Sequence, residues 1–363
     1  MRDGIEKFIQ PHLRELDGYS AHRSPETLEG KTRVPVEKII KLDANENVYG
    51  CSPRVQKALA SYQSYNIYPD STQTELRKAI ASYAGVGFEA VVVGNGSGEI
   101  LDLIFQLLVG AGDDVMNFVP TFDMYRFRAQ LRDARLVEVR RDEDFAIKVA
   151  QAKAAVSPRT KLIIITNPNN PDGSLTPVRD IRALLETRVP VLVDEAYYEF
   201  CGETALPLMK DYPNLMVLRT FSKWPGLAGV RAGYGIFPPR IADYLLTIKL
   251  PYNVSAAAQV AVLESFKDME YLKSTVNRII TERERLISEL KKLGWLRVFP
   301  SKANFVLCVV LNGKAGELRE ELQRRGILVR FWDRPLMRDF IRISVGKPEH
   351  SDALIKTLRE IGG

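Results

Sequence analysis

The sequence predicts an α/β protein, with a large domain on a mostly parallel central sheet and a smaller C-terminal α+β domain. Three observations carry that expectation. Short, fully apolar runs such as KLIIIT (161–166) and VPVLVD (189–194) alternate with helix-patterned segments, as strands covered on both faces do. The chain has 363 residues, more than one hydrophobic core usually fills. After about residue 250 the alternation gives way to a long helical stretch and then to strand, helix and strand.

Taken in order, residues 1–44 read as a polar N-terminal arm punctuated by Pro11, Pro25 and Pro35. The large domain is expected over 45–255. Within it, TELRKAIASYA has helical spacing, VVVG is a short strand, and GEILDLIFQLLVGAG is an amphipathic helix closed by glycine. DVMNFV, ARLVEVR, KLIIIT, VPVLVD, NLMVLRTFSK and RAGYGIF follow as strands, with helices MYRFRAQLRDA and VRDIRALLET between them. The last unit, 256–363, is expected to begin with one long helix over roughly 255–292 and to close as a small domain.

Composition excludes several classes. With 45% hydrophobic and 26% charged residues the chain is ordinary globular material, and it has neither an eighteen-residue apolar run nor an apolar leader. Cys51, Cys201 and Cys308 are odd in number and far apart, which argues against a disulfide framework or zinc site and fits a reducing cytoplasm. His12, His22 and His350 lack metal-ligand spacing, so no metal is expected. The net charge of +6 is scattered among acids, unlike the patch of a nucleic-acid binder.

In an open α/β sheet, ligands bind beyond the carboxyl ends of the parallel strands. GNGSGE (94–99) follows a strand and opens a helix, so it is either a phosphate cradle or a glycine turn. NPNNPDG (167–173) follows LIIIT; it is either a turn or the source of an amide, Asn170, for a cofactor hydroxyl. Asp194 ends an apolar strand, where a carboxylate is costly unless it is paired or faces a ligand. It could keep a pyridine nitrogen protonated or cap the next segment. Lys223 sits after a strand end, behind Thr220 and Ser222 and ahead of a glycine-rich stretch with Arg231. That lysine can form an imine with an aldehyde cofactor, and two hydroxyls with a guanidinium fork suit a phosphate dianion.

Together, LDANENVYG, NIYPD, GNGSGE, the PT(F)xMY segment, NPNNPDG, VDEAYYEF and SKxxGLAGVRxGY resemble the fold-type I pyridoxal phosphate (PLP)-dependent aminotransferases. Within that superfamily the chain is similar to the histidinol-phosphate aminotransferases, from LDANEN (42–47) to IRISVG (341–346). The resemblance implies Ser97 and Gly98 as phosphate cradle, with Thr220, Ser222 and Arg231 on the same phosphate. It implies Phe122 stacked on the pyridine ring, Asn170 and Tyr197 at the ring hydroxyl, Asp194 at the ring nitrogen and Lys223 as the Schiff-base lysine. Tyr68 would reach the PLP phosphate of a neighbouring subunit in a homodimer. Arg342 would grip an anionic substrate group, and Tyr19 and Asn45 would cover the substrate. Three positions depart from the family pattern: Phe122 in place of tyrosine, Gly98 in place of aspartate, and the pair Trp224-Pro225 after the lysine.

The implied reaction is a two-half transamination in which L-histidinol phosphate and 2-oxoglutarate exchange with imidazole acetol phosphate and glutamate. Aromatic amino-acid aminotransferases and threonine-phosphate decarboxylase, a lyase, share these motifs and stand as alternatives. A non-catalytic regulatory module on the same fold is a rival of another class, but it carries an added DNA-binding domain for which residues 1–40 are too short and poorly patterned.

Overall fold

A computed structural model describes residues 4–14, 16, 18, 34–311 and 313–362. In chain order its strands are β1 (Ile40–Leu42), β2 (Val91–Gly94), β3 (Asp114–Val119), β4 (Arg135–Arg140), β5 (Thr160–Thr166), β6 (Val191–Asp194), β7 (Leu215–Thr220), β8 (Gly233–Ile236), β9 (Leu296–Val298), β10 (Phe305–Val310), β11 (Ile327–Phe331) and β12 (Phe340–Ser344). The larger sheet has seven strands in the order β2-β8-β7-β6-β5-β3-β4. Strands β3 to β7 run parallel, and β8 runs antiparallel to both β2 and β7.

Apolar residues occupy both faces of the central strands because helices cover both. Alternate residues separate cleanly: Ile163, Ile165, Val191, Val193 and Val217 enter one buried cluster. Leu162, Ile164, Leu192, Met216 and Leu218 enter the other, under the helix Ser97–Leu108. A third cluster fills the smaller sheet, whose order is β1-β11-β12-β10-β9.

The structure differs from the sequence reading in three places. The strand expected through Lys223 ends at Thr220, so Lys223 lies in the connection to β8. The single helix expected over roughly 255–292 is two, Ala256–Phe266 and Met269–Lys291. Asp268 breaks it with φ −131° and ψ 48°, and its carboxylate accepts a hydrogen bond from Ser52, the N-cap of the helix Pro53–Ser61. The arm expected over 1–44 contains a strand the sequence reading did not give: β1 pairs in parallel with β11 at the edge of the small sheet. Among the described residues, no helix is long and apolar enough to cross a membrane.

Candidate active site

The carboxyl ends of β5, β6 and β7 open onto a cavity of about 530 Å³, roofed by Arg330 and Arg342 of the small sheet and by Trp332, just after β11. Strand register brings the first polar groups together, because Thr166 pairs with Asp194 and Thr220 pairs with Gly233. Thr166, Asp194 and Thr220 continue the same sheet face as Ile164, Leu192 and Leu218, so they point toward the helix Ser97–Leu108. That helix begins at the cavity with Ser97 and Gly98.

The helix start is shaped for an anion. Gly96 has φ +79°, and a Cβ there would lie 2.7 Å from Arg231 Nη2. Only glycine lets the guanidinium rest against this turn. Gly98 has open space where a side chain would stand, so its absent side chain leaves the N–H groups reachable. Glu99 accepts the Asn95 N–H at 2.5 Å and fixes the turn from behind. Arg231 takes a left-handed φ of 61° and donates from Nη1 to Ala228 O at 3.0 Å. Beside it, Thr220 Oγ1 donates to Ser222 Oγ at 3.1 Å and accepts the Ser222 N–H at 3.1 Å.

Lys223 Nζ donates to Ala44 O at 3.1 Å. Burial, reinforced by Arg342 and opposed by Glu46, lowers its pKa to about 8. Asp194 is 5% exposed, and burial raises its carboxyl to about 6 against hydrogen bonds from Tyr125 and the Ala196 N–H. Asn45 Nδ2 donates to Tyr197 Oη at 3.0 Å, while the Asn45 N–H donates to Ser344 Oγ at 2.8 Å. Arg342 donates to Asn170 Oδ1 at 2.6 Å and to Asp43 O at 2.7 Å.

Of the residues singled out in the sequence, Asn45, Ser97, Gly98, Phe122, Asn170, Asp194, Tyr197, Thr220, Ser222, Lys223, Arg231 and Arg342 line this one cavity. Tyr68 does not: it is 78% exposed and stacks on Tyr252 with ring centroids 4.5 Å apart. Tyr19 lies outside the described residues. Sequence reasoning missed Thr121, Thr166, Arg330 and Trp332, which also line the cavity. A cation inside the apolar run ILVRF was the available signal for Arg330. Trp224, which departs from the family pattern, turns away from the cavity and stacks on Tyr83 at 5.4 Å in the large-domain core. Gly226 then packs so closely on Gly50 that a Cβ would lie 2.5 Å from its carbonyl carbon.

A sheet with this topology and a lysine, a carboxylate and an anion cradle at its carboxyl edge define the protein's class. The chain belongs to the family described as Aminotransferase class I and II, whose profile matches residues 37–359, and it is a PLP-dependent aminotransferase. It is 49% identical over 362 residues to a histidinol-phosphate aminotransferase of Dehalococcoides mccartyi, covering 100% of each chain. It is 44% identical to the enzyme of that name from Roseiflexus castenholzii, covering 99% of this chain and 100% of the relative. The crystal structure of histidinol-phosphate aminotransferase from Sinorhizobium meliloti in complex with pyridoxal-5'-phosphate superposes with a TM-score of 0.86 at 29% identity. That match covers 97% of this chain and 96% of the other.

Proposed function

We propose that the protein transfers the amino group of L-histidinol phosphate to 2-oxoglutarate, yielding imidazole acetol phosphate and L-glutamate for histidine biosynthesis. One observation carries the substrate reading. Arg330 and Arg342 stand on neighbouring strands at the cavity roof, with guanidinium carbons 5.5 Å and 5.6 Å from the Trp332 ring. Two guanidinium forks suit the dianionic phosphate that is the one anionic group of L-histidinol phosphate, whereas an aromatic amino acid offers only a singly charged carboxylate. The names of the relatives support the same reading.

The residues present fit PLP. A glycine turn with open N–H groups, two hydroxyls and Arg231 match a phosphate, and a buried acid at the sheet edge matches a ring nitrogen. We assign Ser97, Gly98, Thr220, Ser222 and Arg231 to the phosphate, Phe122 to the ring face, Asn170 and Tyr197 to the ring hydroxyl, and Asp194 to the ring nitrogen. When bound, PLP supplies an aldehyde that condenses with amines and a ring that withdraws electrons from the substrate Cα.

Lys223 Nζ is the amine that would hold the aldehyde of bound PLP. As a free amine, Lys223 Nζ would accept the substrate Cα proton and hold it for return. Asp194, buried at the sheet edge, would hold the proton of the ring nitrogen. Asn45, through Tyr197 and Ser344, fixes the small-sheet roof over the pocket and limits water entry.

Tyr68 belongs with the site of a second copy in this reading. Its ring is exposed outside its own chain's cavity, beside exposed Tyr65, Ile67 and Leu250, an apolar surface suited to a homodimer. Cys51, Cys201 and Cys308 are free thiols, which supports a cytoplasmic setting.

Purified protein given L-histidinol phosphate and 2-oxoglutarate tests the proposal. Glutamate formation at a higher kcat/KM than with phenylalanine or tyrosine as donor is the expected result. Carbon dioxide release from phosphothreonine without glutamate formation would establish the lyase instead.

A further inference from the structure

Behind Asp194 the pocket wall holds three hydroxyl groups in a line. Tyr125 Oη lies 2.8 Å from Asp194 Oδ2 and 2.8 Å from Thr166 Oγ1. Thr166 Oγ1 is 3.0 Å from Thr121 Oγ1, which in turn is 2.9 Å from Asn169 Oδ1. Register produces the line: Thr166 sits beside Asp194 on the next strand. The fully buried Tyr125 covers both from the first turn of the helix Met124–Leu131.

Counting hydrogens gives the line a direction. Asn169 Nδ2 donates to Pro120 O at 3.1 Å and to the Asp172 carboxylate, so Asn169 Oδ1 faces Thr121 and can only accept. Thr121 therefore commits its hydrogen to Asn169. Thr166 must then donate to Thr121, and Tyr125 to Thr166. The remaining link, between Tyr125 and Asp194, needs a hydrogen from Asp194 itself. A neutral Asp194 completes every link. An ionised Asp194 takes the hydrogen of Tyr125, draws that of Thr166 toward Tyr125, and leaves the Thr121 and Thr166 oxygens facing each other without one.

We propose that Thr121, Thr166 and Tyr125 form a relay whose polarity reverses as Asp194 gains or loses its proton, with Tyr125 as the positioning residue for that carboxyl group. The relay follows from the chain alone; its use in the reaction rests on the reading that Asp194 faces the PLP ring nitrogen. A neutral Asp194 can then hand its proton to that nitrogen on binding. The Asp194 O–H bond breaks, an N–H bond forms, and the reversed relay holds the carboxylate with no proton drawn from solvent. The other ionisable groups around Asp194 are Glu195 and Tyr197 on its own segment and Lys223 from the connection after β7. Burial and Glu195 favour the neutral acid, whereas Lys223 opposes it.

Difference infrared titration of the full-length, cofactor-free protein reads the protonated carboxyl band of Asp194, identified by its loss in Asp194→Asn. Thr121→Val removes a hydroxyl at the far end of the relay. It frees the Thr166 hydrogen for Tyr125 and that of Tyr125 for the carboxylate, so the Asp194 midpoint is expected to fall by about one pH unit. Thr121→Ser is expected to keep the parental midpoint. Tyr125→Phe deletes the hydroxyl donor and is expected to raise it. An unchanged or raised midpoint in Thr121→Val, or a shift of both variants in the same direction, overturns the relay. These readings need no cofactor. Titration of Asp194→Asn with PLP tests the ring-nitrogen reading separately, and undiminished affinity would count against that reading alone.

Discussion

In its proposed role Lys223 acts only as a free amine, and its surroundings make that form accessible. Desolvation, with Arg342 close by, brings its pKa down to about 8, so about a fifth is neutral near pH 7.4, far more than for an ordinary lysine. An ammonium group cannot attack the aldehyde. Capture of PLP by cofactor-free protein is therefore expected to slow about tenfold for each unit below that pKa and to level off above it. Stopped-flow absorbance of the lysine-bound cofactor, followed from neutral to alkaline pH, checks this; a rate independent of pH would contradict it. Lys223→Ala should lose that absorbance and at least about a thousandfold in turnover. Full retention of both would overturn the catalytic role assigned to Lys223.

Strand alternation divides the labour at the sheet edge. Asp194 and Thr220 continue one face and enter the pocket. Arg219, one residue earlier, takes the opposite face with Val217. There it donates to Glu195 Oε2 from Nε at 3.0 Å and from Nη2 at 2.8 Å, with its guanidinium carbon 3.7 Å from the Tyr198 ring centroid. Both side chains are almost wholly inaccessible, at 3% and 0% exposure, so neither partner can turn to water if the other is removed. Arg219→Met is expected to destabilise the cofactor-free protein by about 3–5 kcal/mol, because Glu195 is left buried without its counter-charge. Urea denaturation measures that loss. Glu195→Gln added to Arg219→Met should recover part of it, since the stranded charge is gone.

At the scale of the whole molecule, the pocket is assembled from both sheets. Asn304 Nδ2 donates to Asn45 O at 3.0 Å, so β1 and its following turn are bound to the small sheet as well as to Tyr197. The proposal that a second copy supplies Tyr68 is tested directly by complementation. Lys223→Ala and Tyr68→Ala homodimers are each expected to be impaired. Co-expressed hybrids should regain activity, because one site then combines an intact Lys223 with the other subunit's Tyr68. Hybrids no more active than the parents would place Tyr68 outside the site.

Much of this protein is legible in the sequence, and the reasons are local. KLIIIT and VPVLVD read as buried parallel strands because their apolar runs are too short for helices and are bounded by turn chemistry. Polar residues that directly follow such strands, among them Asn170, Asp194 and Lys223, stand out because parallel strands end at a common ligand-binding edge. The break at Asp268 was not legible, because it depends on Ser52, far away in the chain. Arg330 and Trp332 come from a second sheet, and their position over the pocket depends on packing between the two sheets. Thr121, Thr166 and Tyr125 are unremarkable in the sequence, and only strand register and helix placement set their hydroxyls in line with Asp194. By itself the sequence determined the α/β architecture and the PLP-dependent aminotransferase class, and pointed to Lys223 as the lysine to examine, since these are written in short stretches of chain. The tertiary structure alone decided which side chains surround that lysine and which way their hydrogens run, since those depend on atoms that are neighbours only after folding.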